Sequence, residues 1–123
     1  DFGGLLDTEA VRDQIDLLRA SDVPSIDNMG QGCRIRILSP PEEAGGHEVY
    51  DITFKSGGAL RSQPHARGAR EQLTVLEGSV RVTAGSATTL LGTGDTGRYA
   101  ADIEHAIIAE NRAARVFLIV KNA

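Results

Sequence analysis

Short runs of alternating apolar and polar residues constrain the fold of this chain more than any other feature. Residues 34–37, with the sequence RIRI, alternate with a period of two, and so do residues 50–54. In a β-strand this period places apolar side chains on one face and polar side chains on the other. The sequence therefore predicts two strands that are each half buried.

Five further runs of this kind follow, and turn residues separate them. The breaks are rich in proline and glycine, as at Pro40-Pro41 and Gly57-Gly58. Many short strands without a long helix among them indicate an all-β antiparallel sandwich or barrel. The further predicted strands cover residues 71–76, 80–83, 88–91, 105–109 and 116–120.

Length and charge indicate one soluble domain. A chain of 123 residues is long enough for one buried core, and 14 glycines with only 4% aromatic residues are typical of an aliphatic core with frequent turns. The net charge of −4 argues against direct contact of this chain with the phosphate backbone of nucleic acid. Cys33 is the single cysteine, and no stretch resembles a signal peptide or a membrane span, so we expect a cytoplasmic protein without an intrachain disulfide.

The N-terminal residues follow a different pattern. Val11, Ile15 and Leu18 recur at helical spacing, which predicts a short helix over residues 8–18. A strand that contains residues 16–19 is the alternative.

The residues that come next have the composition of a linker. Residues 21–32 contain proline, aspartate, asparagine and glycine, which favours a loop. We therefore expect an N-terminal arm over residues 1–31 and a β-barrel over residues 32–123. The chain opens on Asp1 rather than on methionine, as if it had been cut from a longer polypeptide.

Three residues are candidates for chemistry: His65, Glu71 and His105. Glu71 shares strand parity with Leu73, and His105 shares it with Ile107, so both side chains should face the interior. An inward carboxylate needs a partner, because burying an unpaired charge is costly. Two imidazoles and a carboxylate that converge inside a barrel form a facial triad, which suits a divalent transition metal with open coordination positions. The alternative is that hydrogen bonds satisfy each of the three separately.

The spacing of these residues resembles the two sequence motifs of cupin proteins. The first motif corresponds to PHARGAREQLTVLEGSVRV, which contains His65, Glu71 and Gly78, and the second to the stretch that runs from Gly94 to His105. The resemblance covers most of the chain. It implies a cupin barrel, which is a double-stranded β-helix or jelly roll, after a short N-terminal arm.

The chain departs from the first motif at Arg67, which stands at the position of the second motif histidine. The resemblance then implies three metal ligands instead of four: His65, Glu71 and His105. An arginine at this position would repel a metal, and it could pair with Glu71 or hold an anionic ligand. We favour a metal-free polar pocket in which His65, Arg67, Glu71 and His105 bind a ligand. A divalent metal (Zn, Fe, Mn or Ni) held by the three ligands stays open.

A closer resemblance concerns bacterial regulators. The segments RIRILSPPEEAGGHEVYDITF and GTGDTGRYAADIEHAIIAEN are similar to the C-terminal cupin sensor of regulators that carry an N-terminal helix-turn-helix of the xenobiotic-response-element (XRE) type. This resemblance implies a domain that binds a small-molecule effector and forms a homodimer. DNA binding would reside in a helix-turn-helix domain that is absent from this chain.

The alternative function is that of a small stand-alone cupin enzyme, a metal-dependent oxygenase or isomerase. Three ligands with free coordination positions would suffice for such chemistry. No further tyrosine, histidine or carboxylate lies at motif spacing for acid or base work, so we assign no catalytic residue. We expect a binding module rather than an enzyme, with no membrane contact.

Overall fold

The structure is a computed structural model that describes residues 13–28 and 31–123. Within these ranges the chain forms ten strands and two short 3₁₀ turns, Ala20–Asp22 and Pro41–Glu43. No helix there has the length and hydrophobicity needed to cross a membrane. The strands are β1 (Ser25–Asn28), β2 (Cys33–Ile37), β3 (His47–Phe54), β4 (Ala59–Ser62), β5 (Arg70–Glu77), β6 (Ser79–Ala84), β7 (Ala87–Gly92), β8 (Thr96–Ala100), β9 (His105–Ile108) and β10 (Ala114–Lys121).

The strands form two antiparallel sheets that enclose the core. One sheet has the strand order β1-β2-β3-β10-β5-β8, and the other has the order β4-β9-β6-β7. Their facing surfaces bury aliphatic side chains such as Ile52, Leu73, Val80, Ile107 and Val116. The expected all-β jelly-roll fold is confirmed.

All seven strands that alternation predicts are present, with ends that differ by a few residues. Two strands of the barrel were not predicted, β4 and β8. Strand β8 includes Gly97, which lies in a run of glycines that resembles a turn. Here pairing with β5 keeps the segment extended, because Gly97 stands opposite Leu73 in the register.

The predictions for the N-terminal arm need correction. Residues 8–12 of the predicted helix lie outside the described residues, and residues 13–18 are neither helical nor, at 16–18, a strand. Ile15 is 91% exposed, so this segment has no buried apolar face that would stabilise a short helix. The predicted loop over residues 21–32 contains β1, which pairs with β2 and extends the larger sheet by one strand.

Gly78 makes the crossing between the two sheets possible. It lies between β5 of the larger sheet and β6 of the smaller one, with a φ angle of 78°. A Cβ atom at this position would come within 2.5 Å of the Ala113 carbonyl oxygen. Glycine is thus required at the position where the chain passes from β5, which carries Glu71, to β6 in the opposite sheet.

Candidate functional site

Glu71, His105 and His65 reach the same region of the barrel interior from three different segments. Glu71 lies on β5, His105 is the first residue of β9, and His65 lies in the loop between β4 and β5. The predicted inward orientation of Glu71 and His105 is confirmed, since their exposed fractions are 5% and 4%. Backbone bonds hold the loop in place: the His65 amide donates to the Ala101 carbonyl, and the Ala101 amide donates to the Ala69 carbonyl.

The three side chains form a compact polar centre, by which we mean His65, Glu71 and His105 together. One ligand atom from each lies within 4.8 Å of the others. His105 Nε2 is 3.0 Å from Glu71 Oε2, and His65 Nε2 is 3.9 Å from the same oxygen. Both imidazoles thus direct the same type of nitrogen at one carboxylate oxygen.

The hydrogen bond of His105 Nδ1 fixes which tautomer a neutral His105 ring adopts. His105 Nδ1 lies 2.7 Å from the Ile103 carbonyl oxygen. A carbonyl oxygen only accepts hydrogen bonds, so Nδ1 carries the proton that is donated to it. In a neutral imidazole, Nε2 then presents a lone pair to Glu71 Oε2, which itself has lone pairs.

His65 is oriented in the same way by Asn122. The Asn122 side-chain amide donates from Nδ2 to Glu48 Oε1 at 2.9 Å and to the Gly46 carbonyl at 3.4 Å. These two acceptors turn the Asn122 Oδ1 oxygen towards His65, whose Nδ1 lies 3.3 Å away. His65 Nδ1 therefore donates, and in a neutral ring His65 Nε2 is also left with a lone pair that faces Glu71.

The arrangement fits a cation. Two imidazole lone pairs and a carboxylate oxygen converge, and their contacts are favourable only when a proton or a metal ion lies between them. Metal-bound histidines characteristically donate their other nitrogen to a carbonyl or carboxylate group, as His105 does to Ile103 and His65 does to the Asn122 amide oxygen. The donor set of two histidines and one carboxylate suits a divalent transition metal.

Tyr99 is a member of this site that sequence reasoning missed. Its hydroxyl donates to Glu71 Oε1 at 2.7 Å, so the two carboxylate oxygens have different partners. Burial and the adjacent Glu71 charge both raise the pKa of Tyr99, and burial is the larger cause. Tyr99 stands directly opposite Glu71 in the β5–β8 register. If β8 had been predicted as a strand, its alternation would have placed the Tyr99 side chain in the barrel interior and revealed this residue.

Arg67 does not join the polar centre in this structure. Its side chain is exposed, and within the described residues it forms no ion pair, with Glu71 or otherwise. Glu71 is bonded to Tyr99 and His105 instead. A role of Arg67 in ligand binding stays a prediction.

A cavity of about 610 Å³ lies beside the N-terminal arm, and none of the three residues of the polar centre lines it. Glu48 and Tyr50 of β3 line one side of it, and the N-terminal arm, through Leu17 and Leu18, lines another. Glu48 also accepts the hydrogen bond from Asn122, which orients His65. Burial and the neighbouring Glu48 carboxylate raise the pKa of Tyr50 to about 12. The cavity is thus connected to the polar centre through two hydrogen bonds.

A second buried carboxylate lies on the opposite face of the larger sheet. Asp51 of β3 is 5% exposed and faces away from the barrel interior. Arg36 Nη1 donates to it at 2.9 Å, and Arg115 binds both of its oxygens, at 2.9 and 2.8 Å. The two hydrogen bonds from Arg115, more than the single one from Arg36, hold the pKa of Asp51 below its ordinary value although burial opposes them.

Solved structures with the same fold include two bacterial transcriptional regulators. An HTH_3-family transcriptional regulator from Vibrio cholerae is 28% identical with a TM-score of 0.69, over 77% of this chain and 54% of that one. The Cupin_2 domain of an XRE-family transcriptional regulator from Enterobacter cloacae is 22% identical with a TM-score of 0.66, over 74% of this chain and 97% of that one. This chain therefore spans about half the length of the Vibrio cholerae regulator.

An iron protein has the same fold. The Fe(II) form of HppE is 19% identical with a TM-score of 0.74, over 88% of this chain and 60% of that one. No protein-family model matches the chain, and no curated protein matches it.

Proposed function

This chain has the cupin fold, and from that premise we propose that it is the effector-sensing domain of a bacterial XRE-family transcriptional regulator. The observation that carries the proposal is the position of Glu48. This residue lines the 610 Å³ cavity and is linked through Asn122 to His65 of the polar centre. A ligand in the cavity can therefore change the contacts of the polar centre. The 28% identity to the Vibrio cholerae regulator supports the regulatory role.

The polar centre is proposed to hold a divalent transition metal. The ligand atoms would be His65 Nε2, Glu71 Oε2 and His105 Nε2, which converge with their lone pairs. The metal would be zinc, iron, manganese or nickel, and the three protein ligands would leave coordination positions open. The Fe(II) form of HppE supports this proposal through a shared fold.

The walls of the cavity restrict the effector. Apolar residues such as Pro24, Leu38 and Tyr50 form much of the lining, which suits an apolar body. Among the described lining residues there are four carboxylates and no basic side chain: Asp16, Asp22, Glu42 and Glu48. A neutral or cationic effector fits this lining better than an anionic one. No basic side chain among the described lining residues would offset the desolvation of a negatively charged effector.

The proposed partners are a second copy of the chain and DNA. Regulators that read palindromic sites bind them as dimers, so a homodimer is expected, with a helix-turn-helix domain outside this chain contacting the DNA. Such a regulator works in the cytoplasm, where the chromosome is.

Metal content tests the site directly. Protein purified without a metal-affinity tag is analysed by elemental mass spectrometry, before and after incubation with each of the four divalent ions. We expect one ion per chain in the wild type and a much lower metal content in Glu71→Gln under the same conditions. The control is Glu77→Gln, at an exposed position of the same strand. Substoichiometric metal in the wild type under every condition would contradict the metal proposal.

DNA binding tests the regulatory role. The full-length product of the gene is assayed for binding to the DNA directly upstream of that gene, with and without a library of neutral and cationic metabolites. We expect binding that a library member changes in the wild type and leaves unchanged in Glu48→Gln. A full-length product without a DNA-binding domain, or without affinity for DNA, would rule the proposal out.

An enzyme is the second candidate, and one observation favours it. The proposed ligand set of two histidines and one carboxylate leaves coordination positions free for a substrate. A screen for turnover with iron, manganese and nickel distinguishes the two candidates. Turnover that disappears in Glu71→Gln would establish an enzyme.

A further inference from the structure

The outer face of the larger sheet carries a row of basic side chains at one end. In the register, Lys121 of β10 stands directly opposite both His47 of β3 and Arg70 of β5. Arg98 of β8 stands opposite Gln72, which follows Arg70 by two residues on β5 and faces the same side of the sheet. These five side chains border a cavity of about 180 Å³. We call the cavity and its borders the outer basic patch.

Among the residues that the structure describes, no carboxylate neutralises this patch. Glu71 borders the same cavity, but its carboxylate points to the other face of the sheet, where Tyr99 and His105 bind it. Within the described part of the chain, none of the ion pairs includes Arg70, Arg98 or Lys121.

The rest of this outer face follows a different rule. Arg36 and Arg115 lie on the same surface of the sheet, and both are paired with Asp51. Like charges that stand directly opposite each other on neighbouring strands destabilise a sheet. The unpaired row at Lys121 and Arg70 therefore lowers the stability of a chain that carries an overall charge of −4. The fold does not require this row of unpaired basic side chains, whereas binding of an external anion would offset their repulsion.

The geometry of Arg98 indicates what kind of anion. Its Nε donates to Gln72 Oε1 at 2.8 Å, which positions the guanidinium group, and neither terminal nitrogen has a hydrogen-bond partner among residues 13–28 and 31–123. Two parallel donors of this type match the oxygens of a phosphate or carboxylate group. Arg70 and Lys121 bring the formal positive charge of the patch to three, which matches a dianion better than a monoanion.

We propose that the outer basic patch binds a phosphate group, either as inorganic phosphate or as the terminal group of a phosphomonoester. The site is independent of the proposed effector cavity, because the two lie on opposite faces of the sheet. It is also independent of the metal.

The test is a titration of the wild-type chain with inorganic phosphate at constant ionic strength, followed by the backbone amide signals in nuclear magnetic resonance spectra. We expect saturable shifts centred on Gln72, Arg98 and Ile119, and a higher melting temperature in phosphate than in chloride. In the double variant Arg70→Gln/Arg98→Gln, the affinity should fall at least about tenfold. Arg61→Gln, at an exposed position of the other sheet, is the matched control and should bind as the wild type does.

The ligand arms distinguish the source of the phosphate group. Tighter binding of glycerol phosphate than of phosphate would identify a phosphomonoester, and equal binding would identify the free ion.

The double variant should melt at or above the wild-type temperature in chloride, because it removes repulsion between basic side chains. Lys121→Gln provides a second variant if the double variant does not fold. Three outcomes would overturn the proposal: shifts that do not saturate, acetate binding as tight as phosphate binding, or affinity in the folded variants within twofold of the wild type.

Discussion

Two carboxylates in this protein are buried to the same extent, with 5% of each residue exposed, and lie on opposite faces of one sheet. Asp51 on the outer face is bound by two guanidinium groups, from Arg36 and Arg115. Glu71 on the inner face is bound by a tyrosine hydroxyl and approached by two imidazoles. The comparison shows that burial by itself does not identify a functional carboxylate.

The partners make the difference. Arginine keeps its charge at every accessible pH, so Asp51 is neutralised permanently and its site is complete without a ligand. When they are neutral, the imidazoles around Glu71 present lone pairs to it, because their other nitrogens donate to fixed oxygen acceptors. That site is complete only with a proton or a metal ion. Four predictions test this contrast.

The largest effect is expected for Asp51→Asn. The carboxylate is buried, while the Arg36 and Arg115 side chains are 30% and 41% exposed. Three charge-assisted hydrogen bonds to it lose their charge, which we expect to cost about 3 kcal/mol of the free energy of unfolding. Urea denaturation measures it. Asp27→Asn is the control, since its ion pair with Arg34 is exposed and should contribute less than about 0.5 kcal/mol. Equal effects of the two substitutions would show that Asp51 has no special structural weight.

The opposite pattern is expected for Glu71→Gln. Its amide nitrogen can donate to the lone pair of His105 Nε2 and its oxygen can accept from Tyr99, so the metal-free stability should change by less than about 1 kcal/mol. The affinity for the metal should fall about a hundredfold, which corresponds to roughly 2.7 kcal/mol. Calorimetric metal titration and urea denaturation measure the two quantities. A large loss of metal-free stability would make Glu71 a structural residue like Asp51.

A smaller effect is expected for Tyr99→Phe. Loss of the hydroxyl releases Glu71 Oε1 without touching the oxygen that faces the imidazoles. Because such partners orient a metal ligand, the affinity for the metal should fall about tenfold. The matched control is Tyr50→Phe, the only other tyrosine, which lies beside Glu48 and should leave the metal affinity unchanged. Equal affinities for the metal in Tyr99→Phe and Tyr50→Phe would show that the Tyr99 hydroxyl does not contribute to the site.

The smallest effect concerns pH and Asp51. Its pKa is lowered in the folded state, so its stabilising contribution is fully present above the ordinary value near 3.9 and is lost as the pH falls through the lowered value. The difference in unfolding free energy between the wild type and Asp51→Asn should therefore shrink in strong acid. Urea denaturation at pH 7 and at several values below pH 4 measures it. A difference that stays constant would mean that the arginines do not stabilise the ionised carboxylate.

The strands of the barrel were largely predictable from alternation, because residues with one buried face must repeat with a period of two. Strand β3 is an example, with Ile52 and Phe54 buried and Thr53 exposed. Strand β8 was not predictable in this way, since its glycine pattern also suits a turn and only pairing with β5 makes it extended. Strand β1 was also missed, because it is short, lies at the edge of the sheet and has the composition of a loop.

The candidate site was predictable in part. Parity placed Glu71 and His105 inside, and the cupin resemblance added His65. Tyr99 and Asn122 were not predicted, because each meets its partner through pairings between distant parts of the chain.

The sequence by itself determined the all-β class, the direction in which Glu71 faces and the candidate ligands, because these depend on side-chain period and on local spacing. Only the tertiary structure decided which nitrogen of each histidine faces Glu71 and which carboxylate is neutralised by arginine. Those properties depend on hydrogen bonds between residues far apart in the chain, such as His65 with Asn122 and Asp51 with Arg115. Strand pairing brings these residues together, and no local pattern encodes their distance.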